Sequence, residues 1–350
     1  MTIRDRQQAY KLSGGATGAV ALDDRGIERR VEGQWFSCRL PPGALKQLVQ
    51  RSDAAGLRNF APWILLLAAS GVLAFFAWGS WWAIPAFFLY GTLYTSSDAH
   101  WHECAHSTAF RSRKLNEAFY HLTSFMCLRE AHLWRWSHAR HHTHTMITGR
   151  DPEITVPRPA NLPAVLSDFL YLFSGTTEAG KIVRHALGIV TPRARDFVPE
   201  SEWPKMVRIS RIYVGVVLAT VAGSVALGSA LPLLFVFLPR FYGAWFHQLC
   251  VLTQHAGLAE MVRDHRLNTR TVTMNRLCRF LYVNMNYHLE HHMFPMVPFH
   301  ALPRLHEAVR DQMPPPYAGF LDAYREILPT LIRQSRDAAY FVRRPLPAAS

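Results

Sequence analysis

The sequence predicts an all-α integral membrane protein with four membrane-spanning helices arranged in two hairpins. Hydrophobic residues make up 49% of its 350 positions, and charged residues 18%, below the level of about a quarter that is usual in soluble domains. Residues 59–97 contain no Lys, Arg, Asp or Glu, and residues 212–259 contain only Arg240. Because charge is excluded from the lipid interior, these blocks indicate membrane spans. They exclude a conventional soluble core, a disordered chain and a repeat protein.

Each apolar block is long enough to cross a bilayer twice. One crossing needs about 20 helical residues, each rising about 1.5 Å. Lipid cannot form hydrogen bonds with backbone N–H and C=O groups, so each span is expected to be a helix, which pairs these groups internally. Turns are expected at Gly79-Ser80 and Leu231-Pro232. The four spans are therefore placed at residues 60–78, 81–95, 212–230 and 233–253.

Basic residues predict the orientation of these spans. All of the 38 Lys and Arg except Arg240 lie in residues 1–58, 99–211 and 261–350. Four crossings put these regions on one side, which the positive-inside rule assigns to the cytoplasm together with both termini. The net charge of +13 has two interpretations. The basic residues determine only the topology, or they also attract anionic lipid head groups or an acidic electron-transfer partner. Arg240 either faces the bundle interior or reaches water through a kink at Pro239.

The polar regions divide the chain into three parts. Residues 1–59 are expected to form a cytosolic arm ending in an amphipathic helix, residues 60–313 the membrane domain, and residues 314–350 a cytosolic tail with a helix at 320–335. Residues 117–128 and 161–175 are apolar but too short to cross, which favours interfacial helices. Five cysteines form no C-x-x-C pair, and the first 59 residues contain no signal-peptide core. These features predict an uncleaved protein without a disulfide framework, whose polar parts face a reducing cytosol.

Histidine positions carry the functional interpretation. Three clusters contain eight of the 18 histidines: His102 and His106; His138, His141 and His142; and His288, His291 and His292. Spacings of three and four residues place the imidazoles of each cluster on one helical face. Eight imidazoles are too many for one metal ion but suit two, and imidazole binds iron, copper, zinc and nickel. The clusters can meet only if an even number of crossings separates them, as four spans provide.

Four carboxylates beside the clusters have two interpretations. Asp98, Glu103, Asp151 and Glu290 either accept the second ring N–H of a histidine on a neighbouring helix, or form ordinary salt bridges with nearby arginines. In the first case each carboxylate would fix the tautomer of a metal-binding imidazole and raise its basicity.

The clusters are similar to the three histidine boxes of the membrane fatty acid desaturases. The motifs are His102-Glu-Cys-Ala-His106, His138-Ala-Arg-His141-His142 and Asn286-Tyr-His288-Leu-Glu-His291-His292-Met-Phe-Pro295. The resemblance extends from about Ala61 to Met313. It implies four membrane helices under a cytosolic cap, two histidine-bound irons and dioxygen as oxidant. It also implies a ninth ligand, His255, at the end of the fourth span.

The resemblance implies a reaction and its partners. The chain is expected to introduce a double bond into a fatty acyl chain of a lipid. A hydroxylase or ketolase of the same superfamily, acting on a hydrocarbon, carotenoid or small amphiphile, is the main alternative. The sequence has no haem, flavin, nicotinamide or iron–sulfur motif, so a separate ferredoxin or cytochrome b5-type donor is expected. Nucleic acid is not expected as a partner.

Two further functional classes explain less of the sequence. His102-Glu103-x-x-His106 fits the motif of a zinc protease with Glu103 as general base. That function needs one more ligand and leaves the other two clusters unexplained. A metal transporter would place its ligands within the spans, whereas these clusters lie beyond their cytosolic ends.

Overall fold

The computed structural model describes residues 19–22, 28–31 and 34–347, and almost all of its regular structure is helical. The arm is an exception to the all-α prediction. Strands β1 (Ala19–Leu22) and β2 (Glu28–Val31) pair antiparallel, with Ala19 opposite Val31. The pairing gives hydrogen-bond partners to backbone N–H and C=O groups that have none within a short extended segment. The amphipathic helix expected after the arm is α1 (Ala44–Leu48), a single short turn.

The first apolar block forms the predicted hairpin. Helix α2 (Asp53–Ala77) begins before the predicted start at residue 60, because the Ser52 hydroxyl accepts a hydrogen bond from the Ala55 amide and caps the helix there. Gly79 turns the chain with a φ of 85°, a conformation that glycine adopts without strain. Helix α3 (Ala83–Thr95) then returns close to the predicted span 81–95 and packs against α2.

Helices that carry or surround the histidines follow α3. They are α4 (Ser97–Ala105), α5 (Arg113–Met126), α6 (Ala131–His144), α7 (Leu162–Ser167), α8 (Leu172–Ala186) and α9 (Pro192–Phe197). Helices α5, α7 and α8 overlap the stretches predicted as short interfacial helices. Exposed Leu166, Phe173 and Val183 give α7 and α8 an apolar outer surface.

The second apolar block differs from its prediction. Helix α10 (Trp203–Ala226) begins before the predicted start at residue 212. The single helix predicted over 233–253 is wrong, because the structure has three short helices: α11 (Leu231–Val236), α12 (Pro239–Tyr242) and α13 (Trp245–His255). Pro239 lacks the amide that a continuous helix needs. Gly243 lies so close to α3 that a Cβ there would come within 2.0 Å of the Gly91 carbonyl oxygen.

Among the described residues, two helices are long and apolar enough to cross a membrane: α2, and α10 with the turn before it. Helix α3 and the broken segment α11–α13 pack beside them but are individually shorter. In the part of the chain that the structure describes, both apolar blocks fold back as helical hairpins, and two of the four predicted spans form single helices of membrane-crossing length.

Arg240 faces the bundle interior, the first of the two alternatives considered from the sequence, and it does not reach water. The chain breaks at Pro239, and the Arg240 side chain is fully buried in the bundle. Its Nη2 lies 2.9 Å from Asp98 Oδ2, and its guanidinium lies 3.9 Å from the centre of the Tyr171 ring. Ion pairing and the aromatic face offset the cost of burying this charge.

The last third of the chain closes the polar end of the bundle. It contains α14 (His265–Asn268), α15 (Arg276–Leu281), α16 (His288–Met293), α17 (Leu302–Val309) and α18 (Phe320–Gln334). The tail helix predicted at 320–335 is α18, which packs against α13 through buried Ala323, Ile327 and Leu331.

Candidate metal centre

Four helices supply the histidines of the candidate site. His102 lies on α4 and His106 follows its last residue, while α6 carries His138, His141 and His142. The six-residue α16 carries all three histidines of the last cluster. His255 is the final residue of α13. The breaks that interrupt the fourth predicted span thus still deliver His255 to the same end of the bundle.

The structure brings all nine predicted imidazoles together in two groups. Within each group, one ring nitrogen per residue lies within 4.8 Å of every other. The first group contains His102, His106, His138, His142 and His291; the second contains His141, His255, His288 and His292. Each group draws on three helices, so neither assembles from one sequence motif alone.

The arrangement of nitrogen atoms fits bound cations. Nε2 atoms approach one another at 2.9 Å between His106 and His138, and at 3.2 Å between His255 and His288. Neighbouring nitrogens spaced in this way suit ligands about 2.1 Å from a shared ion. Both ring nitrogens of His102 are buried without a hydrogen-bond partner. Buried polar atoms are seldom left without partners, and an ion between the rings would be bound by one of these two nitrogens.

Burial keeps most of these imidazoles neutral, the form that binds metal. It lowers the pKa of His102, His106 and His142 well below the ordinary value, with neighbouring imidazoles adding to the effect. His141 is different. Burial lowers its pKa, but the Asp151 carboxylate opposes this effect and the net shift is upward.

Hydrogen bonds on the Nδ1 side orient several rings. His141 Nδ1 lies 2.9 Å from both carboxylate oxygens of Asp151, and His138 Nδ1 lies 3.0 Å from Glu153 Oε2. His255 Nδ1 lies 2.8 Å from the Asn268 carbonyl oxygen. Such contacts leave Nε2 free to face the centre of the group.

Of the four carboxylates considered from the sequence, only Asp151 contacts one of the nine imidazoles. Asp98 pairs with Arg129 at 2.7 Å and with Arg240, so the salt-bridge interpretation applies to it. Glu103 Oε1 accepts a hydrogen bond from the Phe299 amide, and burial raises its pKa to about 7.

Glu290 also turns away from the nine imidazoles. It lies 2.5 Å from His306 Nδ1 and accepts a hydrogen bond from the Thr271 hydroxyl. On short helices the side chains between two ligand positions face a different direction, which explains why Glu103 and Glu290 do not reach the centre.

Sequence reasoning missed Glu153. The sequence gives little indication of its role, because Glu153 is a single acidic residue two positions after Asp151, in the segment that follows α6. The Glu153 amide donates to Asp151 Oδ1 at 2.8 Å, and this turn directs the Glu153 carboxylate to His138. A second close residue is His265, whose ring centre lies 5.1 Å from that of His292.

A cavity of about 400 Å³ borders both groups. Its wall includes His102 and His138 from the first group and His141, His255 and His288 from the second. A molecule bound in this cavity would therefore be in reach of histidines from both groups.

Comparison with known proteins identifies the family. The family model described as fatty acid desaturase matches residues 79–324, which include all nine imidazoles. A search of curated proteins finds no match to this chain. Proteins of this family are membrane-associated oxidoreductases, in keeping with the two long apolar helices. Since the match covers more than half of the sequence, the chain belongs to the fatty acid desaturase family.

Proposed function

We propose that the protein is a dioxygen-dependent membrane oxidoreductase with two irons, and that it introduces a double bond into an acyl chain. The observation that carries the proposal is the convergence of nine buried imidazoles into two groups on the wall of one cavity. Nine imidazole ligands, shared as five and four, fit two metal ions better than one.

The roles of the residues follow from their positions. His102, His106, His138, His142 and His291 would hold one iron, and His141, His255, His288 and His292 the other. Two irons held in this way would supply the redox chemistry that activates dioxygen. The protein orients the ligands, because Asp151 and Glu153 each fix one imidazole by a hydrogen bond to Nδ1.

The cavity would hold the substrate chain beside the irons and limit the access of water. Desaturation removes two hydrogen atoms, that is two protons and two electrons, from adjacent substrate carbons. A donor supplies two more electrons, the solvent supplies two more protons, and dioxygen is reduced to two waters. The separate donor is proposed to be a ferredoxin or cytochrome b5-type protein, for which the net charge of +13 suits an acidic docking surface.

We also propose a multi-pass orientation with the histidines at the cytoplasmic membrane surface. Support comes from the distribution of basic residues and from the position of all four histidine-bearing elements at the same end of the bundle. Helix α3 and the segment α11–α13 would complete the membrane domain beside α2 and α10.

The zinc protease explains the geometry less well. Glu103 would have to act as general base beside His102 and His106, but its Oε1 is engaged by the Phe299 amide. Three further imidazoles already surround this histidine pair.

Product analysis tests the proposal. The protein is purified with its metals and supplied with a ferredoxin, its reductase and dioxygen, and lipid products are compared by mass spectrometry. Loss of two hydrogens supports desaturation, whereas gain of one oxygen would assign the chain to the hydroxylases of the superfamily. Zinc bound at one ion per chain, with iron absent, would contradict both.

A further inference from the structure

Two of the nine imidazoles reach the protein surface. His106 and His142, both in the first group, are partly exposed, whereas the other seven are buried. The wall of the 400 Å³ cavity includes five imidazoles but neither of these two. Their exposed edges therefore face another side of the protein. The histidine site thus has two separate approaches, the cavity and the surface around His106 and His142.

Small side chains surround the two exposed edges. On α6, Ala139 precedes His142 by three residues and Thr143 follows it directly, and both are exposed. Ser107, directly after His106, is also partly exposed. Because these side chains are short, they leave room for another molecule to approach the imidazoles closely.

Met296 adds an apolar side chain to this surface. It is 52% exposed and lies in the segment that leads from His291 to Phe299. Both ends of that segment are fixed against α4. The His291 and His106 ring centres are 4.7 Å apart, and the Phe299 amide donates to Glu103. We call the resulting surface the first-group face, and it consists of His106, Ser107, Ala139, His142, Thr143 and Met296.

The first-group face is connected to the second histidine group. The His142 ring stacks on that of His292, a member of the second group, with the ring centres 4.3 Å apart. Electron transfer between protein sites slows steeply with distance, so a redox partner must approach an exposed ligand. Only the first group offers one, and the stacked rings extend the connection to the second group.

Cations border the first-group face. Arg111, Arg113 and Lys114 are exposed, and among the described residues no carboxylate lies within ion-pair distance of any of them. Arg111 follows His106 by five residues, which span at most about 18 Å. This distance suits a transient redox complex, which buries up to about 1,200 Å² in total.

The carboxylates near these cations do not cancel their charge. Glu117 pairs with Arg135 at 3.0 Å. Asp53 accepts a hydrogen bond from the Ser112 amide at 2.8 Å, which places its charge among the three cations. With Asp53 counted, two positive charges remain, and Arg51 adds a third. The charged residues of segment 293–311 balance one another: Arg304, Arg310, Glu307 and Asp311.

The cations and the exposed imidazoles project to a similar level beyond the apolar bundle. Trp63 Nε1 donates to the Leu93 carbonyl oxygen at 2.9 Å, which fixes α2 against α3. From this contact α2 extends ten residues to Asp53, about 15 Å, and α3 with α4 extends thirteen residues to His106, about 20 Å. A soluble protein on the side proposed to be cytoplasmic could therefore contact both.

We propose that the first-group face docks the electron-donor protein, and that electrons enter the site through the first histidine group. The partner is a small protein that carries a one-electron redox centre and an acidic rim facing Arg111, Arg113 and Lys114. Each encounter transfers one electron from the reduced donor to the ferric iron proposed for the first group and leaves the donor oxidised. Two encounters supply the two electrons that one turnover takes from the donor. This inference rests on the proposed function for the two irons.

Donor binding tests the inference without turnover. The metal-loaded protein is immobilised in phosphatidylcholine nanodiscs, and the probes are an oxidised plant-type [2Fe–2S] ferredoxin and an oxidised soluble cytochrome b5. At least one probe is expected to bind. An increase in ionic strength from about 0.05 M to about 0.5 M is expected to weaken its binding at least about tenfold, because salt screens the charges between the two surfaces.

Substitutions locate the docking surface. Ala139→Glu adds a negative charge to the first-group face at an exposed helical position that glutamate suits, and is expected to weaken probe binding at least about tenfold. Ala139→Gln, equal in size but uncharged, should weaken it less. Arg113→Glu should also weaken binding. Arg336→Glu is the matched control, because Arg336 is exposed in the tail after α18, and it should bind with the original affinity.

Reduction of the irons supplies a second measurement. Ala139→Glu should retain two irons per chain and be reduced by dithionite, a small reductant, at the original rate. Its reduction by the reduced probe should slow at least about tenfold, in step with the loss of binding. Equal slowing with dithionite would overturn the inference, because it would indicate damage to the site.

Three binding results would also overturn the inference: binding of neither probe, the original affinity in Ala139→Glu, or an Arg113→Glu variant that loses binding to phosphatidylglycerol vesicles but not to the probes. The last result would assign the cations to anionic lipid. Iron content separates these failures from failure of the proposed function. Two irons per chain with unchanged probe binding in Ala139→Glu would reject only the docking surface, whereas a protein without iron would reject the proposed function.

Discussion

Replacement of Glu153 by Gln tests how the protein orients its histidines. Glu153 Oε2 lies 3.0 Å from His138 Nδ1, and the His138 and Glu153 side chains are only 4% and 13% exposed. The substituted glutamine would preserve the shape of the side chain but remove the negative charge that fixes the tautomer of His138. Because His138 belongs to the first histidine group, the effect should be confined to one of the two proposed metal ions.

The size of the effect follows from this contact. Loss of a hydrogen-bonded carboxylate behind a ligand histidine lowers metal affinity by about 10- to 100-fold. That range corresponds to about 1.4–2.8 kcal/mol, within the usual contribution of a charge-assisted hydrogen bond. Removal of iron by a competing chelator, followed by Mössbauer spectroscopy, measures the affinity of each site. We expect one iron to leave at a 10- to 100-fold lower chelator concentration, while the second is unchanged.

Glu202→Gln provides the matched control. Glu202 lies 3.4 Å from Nδ1 of His132, a histidine outside both groups, so both irons should keep the affinity of the original protein. Equal weakening of the two irons in Glu153→Gln, or no change in either, would refute the assignment of Glu153 as a positioning residue for the first group.

Three other substitutions test the site and the fold. His255→Ala should lower the iron content from two to one per chain, whereas His185→Ala, outside both groups, should leave two; elemental analysis measures both. Asp98→Asn should lower the free energy of unfolding at pH 7 by about 3–5 kcal/mol, since it leaves two buried guanidiniums unpaired. Burial alone would raise the pKa of Asp98, but the adjacent arginines outweigh it and hold the pKa well below its ordinary value. The ionised carboxylate therefore stabilises the folded protein above about pH 4, and this stabilisation is lost as the pH falls further. Acid unfolding curves of Asp98→Asn should lack this pH-dependent loss of stability. Gly243→Ala should reduce the yield of folded protein in size-exclusion chromatography, because its Cβ would meet backbone at 2.0 Å, while Gly215→Ala, with open space around it, should not.

Much of this architecture follows from local sequence. The charge-free blocks predict the apolar hairpins, and the histidine spacing predicts which imidazoles share a face. His255 is found by resemblance to a family pattern, because an isolated histidine has no informative spacing of its own. The structure places it with the other eight.

Contacts between distant residues account for what the sequence does not predict. Residues 233–253 are apolar throughout, yet the close approach of Gly243 to Gly91 and the position of Pro239 divide them into three helices. Asp98 is adjacent to a histidine box in sequence but pairs with Arg240 from the opposite hairpin. The contact of Glu153 with His138 depends on a turn after α6 that the residue pattern does not specify.

Metal analysis of the purified protein tests the central claim most directly. Elemental analysis combined with X-ray absorption at the iron edge reports both the number of irons and the atoms bound to them. Two irons per chain, surrounded by imidazole nitrogen without sulfur, are expected from the five- and four-histidine groups. A single zinc ion per chain, or iron bound chiefly by other donors, would contradict the account.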